Sequence, residues 1–160
     1  MDAESPGQPR LWIDVESSMD WLSPEPYLIE TAHLSPTIEK LEASGFRVVR
    51  IGLGEIGQDI EEKMLIDLSR KLGFSLLGAG SWAAFNDRLW DLLTAGDEPP
   101  VAIVIEGFSR LLEANVHAFV RCVHNLLSMT EGVGLADVRA GLQVEYFFVG
   151  EWKIPRHSRT

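Results

Sequence analysis

The chain has 160 residues, and its 46% hydrophobic and 24% charged content is typical of one folded domain rather than of a disordered segment. With 24 acidic and 14 basic side chains the net charge is −10, which argues against direct binding to nucleic acid and favours a basic protein partner. A single cysteine excludes an intramolecular disulfide and a multi-cysteine zinc site.

The first 45 residues contain short predicted elements separated by proline and glycine. Residues 1–10 lack the basic and apolar regions of a signal peptide, and no apolar run in the chain is long enough to cross a membrane, which predicts a cytoplasmic protein. The elements that follow are a strand over Leu11–Val15, a turn over Ser23–Pro26, a weaker strand over Tyr27–Thr31 and a short helix from Ser35 to Ser44. Ser35 is the predicted N-cap, Pro36 the first helical residue, and Gly45 the helix stop. We treat residues 1–45 as an N-terminal extension that can add a strand to the main domain.

Clearer elements begin at residue 46. Predicted strands cover 46–51, 101–105 and 142–149, and predicted helices cover 59–72, 81–94 and 115–129, with a helical turn over 108–112. Because helices separate the strands, the order favours an α/β fold in which a mainly parallel, three-stranded sheet is covered by helices. The main domain then spans residues 46–150, followed by a polar tail over 151–160. The predicted core residues are Val49, Leu68, Phe85, Leu89, Ile103, Phe119, Val123 and Phe147.

A Gly-x-Gly-x-x-Gly motif follows the first of these strands, at Gly52, Gly54 and Gly57. In dinucleotide-binding enzymes such glycines let the backbone approach a pyrophosphate at a helix N-terminus. Here the helix should begin after the motif, and no acidic residue stands about 20 residues further on to bind a ribose. We therefore expect these glycines to serve the backbone turn only, with no bound cofactor. A small nucleotide-binding enzyme that uses this motif is the third hypothesis for function.

Metal-ligating residues are sparse in the sequence. His117, Cys122 and His124 fall on one predicted helix, where the two histidines share a face and the cysteine does not. This spacing favours a buried free thiol and partly exposed histidines over a metal site. The sequence also lacks the nucleophile-elbow and zinc-protease motifs, and we expect a protein that is not an enzyme.

The helix predicted over 81–94 carries the pattern most specific for binding. Ser81 is its predicted N-cap, and the core-facing positions are Trp82, Phe85, Leu89 and Leu92. The opposite side carries Ala83, Asn86, Asp87, Trp90 and Asp91. A tryptophan between two carboxylates suits the binding of a basic partner, with Trp90 as the apolar anchor. The alternative is a solvated acidic face on which Trp90 is partly buried.

Around this helix the sequence resembles the barstar family, the small intracellular inhibitors of barnase-type ribonucleases. The resemblance covers roughly residues 46–150. The segments that carry it are Leu72–Gly80 followed by Ser81–Leu89, the upstream strand and turn at Val48–Ile51 and Gly54–Ile56, and the strands at Val101 and Leu142, which follow in the family's order. The resemblance implies a small, three-layered, barstar-like fold.

In the barstar family this helix and the loop before it block the active site of the ribonuclease, where carboxylates mimic the phosphates of the substrate. Asp87 matches the second acidic residue of the family pattern. The departures from that pattern are Ala83 in place of the first acid, Asn86 where a member has tryptophan, Arg88 in place of cysteine, and Leu76, Leu77 or Gly78 in place of aromatic residues. The set of phosphate-mimicking acids is therefore thinner than in the family.

The resemblance and the charge together predict a non-catalytic protein that binds and inhibits a basic ribonuclease or nuclease toxin domain, as an immunity protein does. The expected contact residues are Gly80, Ser81, Ala83, Asn86, Asp87, Trp90 and Asp91. No metal, cofactor, nucleic acid or membrane is expected to take part, and the protein is expected to be a monomer or to form a 1:1 complex. The alternative is a barstar-like interaction scaffold whose partner is not a nuclease.

Overall fold

The computed structural model describes residues 13–94, 99–136 and 143–152. Within these ranges the helices are α1 (Val15–Ser18), α2 (Leu34–Ala43), α3 (Ile60–Leu72), α4 (Trp82–Thr94), α5 (Phe108–Ala114) and α6 (Val116–Ala136), with a 3-10 turn at Thr31–His33. The strands are β1 (Tyr27–Glu30), β2 (Arg47–Gly52), β3 (Val101–Glu106) and β4 (Val144–Gly150). The segment predicted as a turn before β1 contains a cis peptide bond between Glu25 and Pro26.

The four strands form one parallel sheet in the order β1–β4–β3–β2. The strands predicted from residue 46 onward correspond to β2, β3 and β4 and lie side by side, so the prediction of an α/β fold with a parallel sheet is confirmed. The sheet has four strands rather than three, because β1, the weaker strand predicted in the N-terminal extension, pairs with β4 and places Tyr27 opposite Phe147. Residues 27–45 thus supply an edge strand and a helix to the same sheet.

Helices cover both faces of the sheet, which produces three layers. Side chains alternate between the two faces along each strand. On β3, Ala102 and Val104 belong to the core cluster beneath α1 and α2, whereas Ile103 and Ile105 belong to the cluster beneath α3 to α6. Because β3 is buried on both faces, its sequence is a continuous apolar run.

The segment before β1 begins with a short helix. The strand predicted over Leu11–Val15 is therefore wrong over residues 13–15, and its first two residues lie outside the described ranges. The carboxylate of Asp14 caps α1 by accepting hydrogen bonds from the backbone N–H groups of Glu16 (3.2 Å) and Ser17 (3.3 Å). This local cap stabilises helical backbone just after Asp14, a preference that outweighs the β propensity of a few apolar residues.

The second helix starts earlier than predicted. Its N-cap is His33 rather than Ser35, so Pro36 is the third helical residue instead of the first. Proline is compatible with this position because the first four N–H groups of a helix have no acceptor within the helix. The predicted stop is correct in place: Gly45 follows the C-cap with a left-handed φ of +100°.

Most of the predicted core residues are buried, but Phe119 and Val123 are only half-buried. Over the part of α6 whose side chains are described, the buried side chains are instead Ala118, Cys122 and Leu126, which recur every four residues and form the inner face of the helix.

The second residue after the end of β4 also belongs to the core. The side chain of Trp152 is buried, and its indole N–H donates to the carbonyl oxygens of Ile29 and Phe148, each at 3.1 Å. Its ring meets that of Phe119 edge-on, with the ring centroids 5.9 Å apart. Trp152 therefore links β1, β4 and α6 at the carboxyl end of the sheet.

Candidate binding site on helix α4

The loop that leads into α4 is held by backbone hydrogen bonds and by Arg88. The N–H of Ala79 donates to the carbonyl oxygen of Leu76 (3.3 Å), and Gly78 adopts a left-handed φ of +68°. The guanidinium of Arg88, on α4, donates to the carbonyl oxygen of Leu77. This arrangement leaves the side chains of Leu76 and Leu77 50% and 84% exposed. The loop therefore presents two adjacent leucines to solvent from a defined backbone.

The first turn of α4 is capped as predicted. The hydroxyl oxygen of Ser81 accepts a hydrogen bond from the N–H of Ala84 (3.3 Å), and its carbonyl oxygen accepts one from the N–H of Phe85 (3.0 Å). Just before it, a side chain at Gly80 would place its Cβ 2.5 Å from Cγ of Glu62. The loop thus lies close to the first turn of α3, and the Glu62 side chain would have to move to admit a larger residue.

The two sides of α4 are oriented as the sequence pattern predicts. Phe85 and Leu89 are buried, and Trp82 and Leu92 are half-buried. The candidate contact residues on the other side, Ala83, Asn86, Asp87, Trp90 and Asp91, are all exposed, with Trp90 42% exposed. The periodicity of about 3.6 residues per turn accounts for this division.

A groove of about 500 Å³ lies between α4 and α6 and divides the candidate residues into two groups. Its lining residues are Trp82, Ala83, Asn86 and Trp90 from α4 and Asn125, Ser128 and Met129 from α6. Asp87 and Asp91 are outside this lining and occupy the neighbouring strip of the helix surface. The sequence did not predict the α6 residues, because only the packing of α6 along α4 places them beside the candidate face. Their i, i+3, i+4 spacing, which puts them on one side of a helix, was the available signal.

A polar cluster fixes the two helices that form the groove. The carboxylate of Glu61, on α3, accepts hydrogen bonds from Arg121 Nε and Nη2 on α6 at 2.7 and 2.6 Å. The Arg121 hydrogen bond is the main cause of a lowered Glu61 pKa; partial burial opposes it, and hydrogen bonds from Trp82 and Cys122 add to it. Because Trp82 is on α4, this one carboxylate connects three helices and sets the spacing of the groove walls.

The Glu61→Ala variant is expected to lose about 1 kcal/mol of unfolding free energy at pH 7, because it removes the hydrogen bonds that Glu61 accepts from Arg121. The loss is no larger because solvent screens the exposed Arg121. Since the Glu61 pKa is lowered in the folded protein, this stabilisation is present above the ordinary carboxyl pKa of 4.5 and is lost as the pH falls below it. Urea unfolding at neutral and at acidic pH measures both values. Asp67→Ala, which removes an exposed pair with Arg70, is the control and should change stability by less than about 0.5 kcal/mol. An equal loss for Glu61→Ala at both pH values would contradict this account.

The glycine motif at 52–57 ends before α3 begins, as the sequence predicts. Gly52 and Gly54 line a cavity of about 340 Å³ at the carboxyl end of β2, and α3 begins at Ile60, beyond the motif. The φ angles of Gly52, Gly54 and Gly57 lie outside the left-handed region, and a Cβ at Gly52 or Gly54 would meet no atom within 4 Å. Neither a left-handed backbone nor close packing therefore requires glycine at positions 52 and 54, whereas a Cβ at Gly57 would lie 3.2 Å from Oδ1 of Asp59.

The residues considered as metal ligands differ in their exposure to solvent. His117 and His124 are exposed, whereas Cys122 is buried. Burial, with a smaller contribution from the Glu61 carboxylate, raises the pKa of the Cys122 thiol to about 12. Since the thiolate is the reactive form, this cysteine is protonated and unreactive at neutral pH.

Comparisons of the chain with known proteins find no relative. No family model matches it, and no curated protein or solved structure matches it. Over the ranges given above, no three His, Cys, Asp or Glu side chains are placed to hold a metal ion. No helix in the described part of the chain has both the length and the apolar character needed to cross a bilayer. Function is therefore inferred from the residues and geometry of the α4 surface.

Proposed function

We propose that this protein is a non-catalytic, cytoplasmic inhibitor that binds a basic ribonuclease or nuclease toxin domain through α4 and the loop before it, in a 1:1 complex. The observation that carries the proposal is the exposed acidic strip of α4, Asp87 and Asp91, beside the exposed leucines of the preceding loop. A strip of acids beside an apolar anchor favours a partner whose surface is basic around an apolar contact.

The charges around α4 support an acidic contact surface. Between Phe74 and Ser109 the sequence contains one basic residue, Arg88. Its side chain is half-buried and its guanidinium donates to the carbonyl oxygen of Leu77, which holds it against the loop. The same segment contains five acidic residues, and this excess of negative charge attracts a cationic partner and raises its association rate.

The resemblance to the barstar family supports the choice of a nuclease as the partner. Asp87, the acid that matches the family pattern, is exposed on α4. At one departure from the pattern, Arg88 has a structural use here, because it binds the loop that presents Leu77. We infer that the apolar loop supplies part of the contact that a second acid at position 83 would otherwise supply.

The purified protein also allows a test of the two other candidate functions. A barstar-like scaffold would capture a partner without nuclease activity. A nucleotide-binding enzyme would show a thermal-shift midpoint that rises and saturates with NAD, ATP or a flavin. The position of Ile60 beyond the glycine motif favours the binding functions, because the N–H groups that begin α3 are separated from the glycines.

The decisive experiment compares Asp87→Asn with the unaltered protein. The protein is immobilised, the captured nuclease is identified by its activity and its inhibition by the protein, and the affinity is measured by titration. Asp87→Asn should weaken binding by about 2 kcal/mol, roughly thirtyfold in Kd, because a cation of the partner would be left buried without its counter-charge. Glu39→Gln, the same charge change on the exposed surface of α2 across the sheet, should bind within about twofold of the unaltered protein.

Binding of Asp87→Asn within about twofold of the unaltered protein, with the fold retained, would show that α4 is not the contact surface. Capture of a partner that has no nuclease activity would favour the scaffold function instead.

A further inference from the structure

The groove between α4 and α6 has a chemical character of its own. Its apolar surface comes from the indoles of Trp82 and Trp90 and the thioether of Met129. Its polar groups are the side-chain amides of Asn86 and Asn125 and the hydroxyl of Ser128, and none of the lining residues is charged. With a volume of about 500 Å³ it can accept one large side chain of a bound protein.

The lining groups favour a planar cation. A guanidinium is weakly hydrated, stacks on indole faces, and donates several hydrogen bonds from one plane. The amide oxygens of Asn86 and Asn125 and the hydroxyl oxygen of Ser128 are neutral acceptors that can take those hydrogen bonds. A lysine ammonium is more strongly hydrated and therefore loses more on entering the same groove.

Other occupants are disfavoured by the same surroundings. An apolar side chain would cover the amides of Asn86 and Asn125 without supplying hydrogen-bond partners. A carboxylate would come close to the acidic strip of Asp87 and Asp91 on a protein of net charge −10. Charge complementarity therefore selects a basic side chain over an apolar or acidic one.

We propose that the groove between α4 and α6 binds an arginine side chain of the partner, stacked against the indole of Trp90 and hydrogen-bonded to Asn86 and Asn125. This inference rests on the proposed function, because the arginine belongs to the basic protein that contacts Asp87. It extends the contact surface from α4 to α6 and adds Asn125 and Ser128 to it.

A peptide titration tests the groove without the partner. Acetyl-Gly-Arg-Gly-amide is titrated into the full chain while the indole N–H signals of Trp82 and Trp90 are followed by NMR. We expect saturable shifts of these signals, and binding at least about fivefold weaker for the otherwise identical citrulline peptide, which is neutral and isosteric. Equal binding of the two peptides, or no saturable shift with the arginine peptide, would overturn the proposal.

Variants on α6 connect the peptide site to the groove. Asn125→Leu should weaken binding of the arginine peptide by at least about fivefold, because it removes an acceptor and fills the groove with an apolar group. Trp90→Leu should do the same and serves if Asn125→Leu does not fold, while Glu39→Gln on α2 should have no effect. Peptide binding unchanged in the folded groove variants would overturn the proposal.

The same variants separate the two proposals in the nuclease titration. Loss of nuclease affinity on Asp87→Asn but not on Asn125→Leu would retain the proposed function and overturn the arginine site. Loss of peptide binding on Asn125→Leu, with nuclease affinity unchanged on Asp87→Asn, would support the arginine site and overturn the acidic strip of α4 as the contact surface.

Discussion

Replacement of Phe85 by alanine is expected to lower the free energy of unfolding by about 3–5 kcal/mol. Phe85 is fully buried on the inner face of α4, in the core cluster beneath α3 to α6, and its ring centroid is 5.9 Å from that of Phe74. The substitution removes the whole ring and leaves a cavity that rigid helices and a sheet refill only in part.

This prediction is checked by urea unfolding followed by circular dichroism, with Leu77→Ala as the control. Leu77 is of similar hydrophobic character but is 84% exposed, so its truncation should change the unfolding free energy by less than about 0.5 kcal/mol. Because Leu77 is also a proposed contact, the same control should weaken nuclease binding while leaving stability intact. A loss below about 1.5 kcal/mol for Phe85→Ala would mean that α4 is not anchored through this ring.

Replacement of Glu145 by glutamine is expected to raise the unfolding free energy at pH 8 by about 3 kcal/mol. Glu145 lies on β4 on the side of α1 and α2 and is buried, which raises the pKa of its carboxyl group to about 7. The side-chain amide of Gln143 opposes the increase by donating a hydrogen bond at 2.9 Å, and the carboxylates of Glu25 and Glu16 add to it. Glutamine retains the acceptor for Gln143 and carries no charge to bury.

The pH dependence follows from the direction of this change. Because the Glu145 pKa is higher in the folded than in the unfolded protein, the folded state is favoured most below pH 4.5, and stability falls as the pH rises from there through about 7. Gln143 also exchanges hydrogen bonds with the backbone of Ile13 at 2.9 and 2.8 Å, which attaches the residue before α1 next to Glu145. The phenol of Tyr27 donates a hydrogen bond to the carboxylate of Glu16 at 3.2 Å, and both groups interact electrostatically with Glu145.

Urea unfolding between pH 4 and pH 8 measures the effect. Glu145→Gln should flatten the decline in stability over this range, whereas Glu39→Gln, an exposed glutamate on α2, should leave the decline unchanged. A parallel decline in Glu145→Gln and the unaltered protein would show that the carboxyl group does not titrate in this range.

Local pattern in the sequence was sufficient for the elements from residue 46 onward and for the orientation of α4. The apolar run Val101–Ile105 predicts a strand buried on both faces, and the spacing of Phe85 and Leu89 determines which side of α4 faces solvent. Both features depend on neighbours within a few residues, so the periods of strand and helix reveal them directly. The position of Asp87 on the exposed side follows for the same reason.

Tertiary structure decided the features that depend on residues far apart in the chain. The sequence predicts a weak strand at Tyr27–Thr31, but its place in the sheet depends on pairing with residues 147–150, more than a hundred positions away, because a four-residue segment has no stable strand conformation by itself. The groove needs α6 beside α4, and the pKa of Glu145 depends on its burial on the face of the sheet that α1 and α2 cover. Pairing, helix packing and desolvation are properties of the assembled layers, whereas the sequence pattern records only the periodicity of each element.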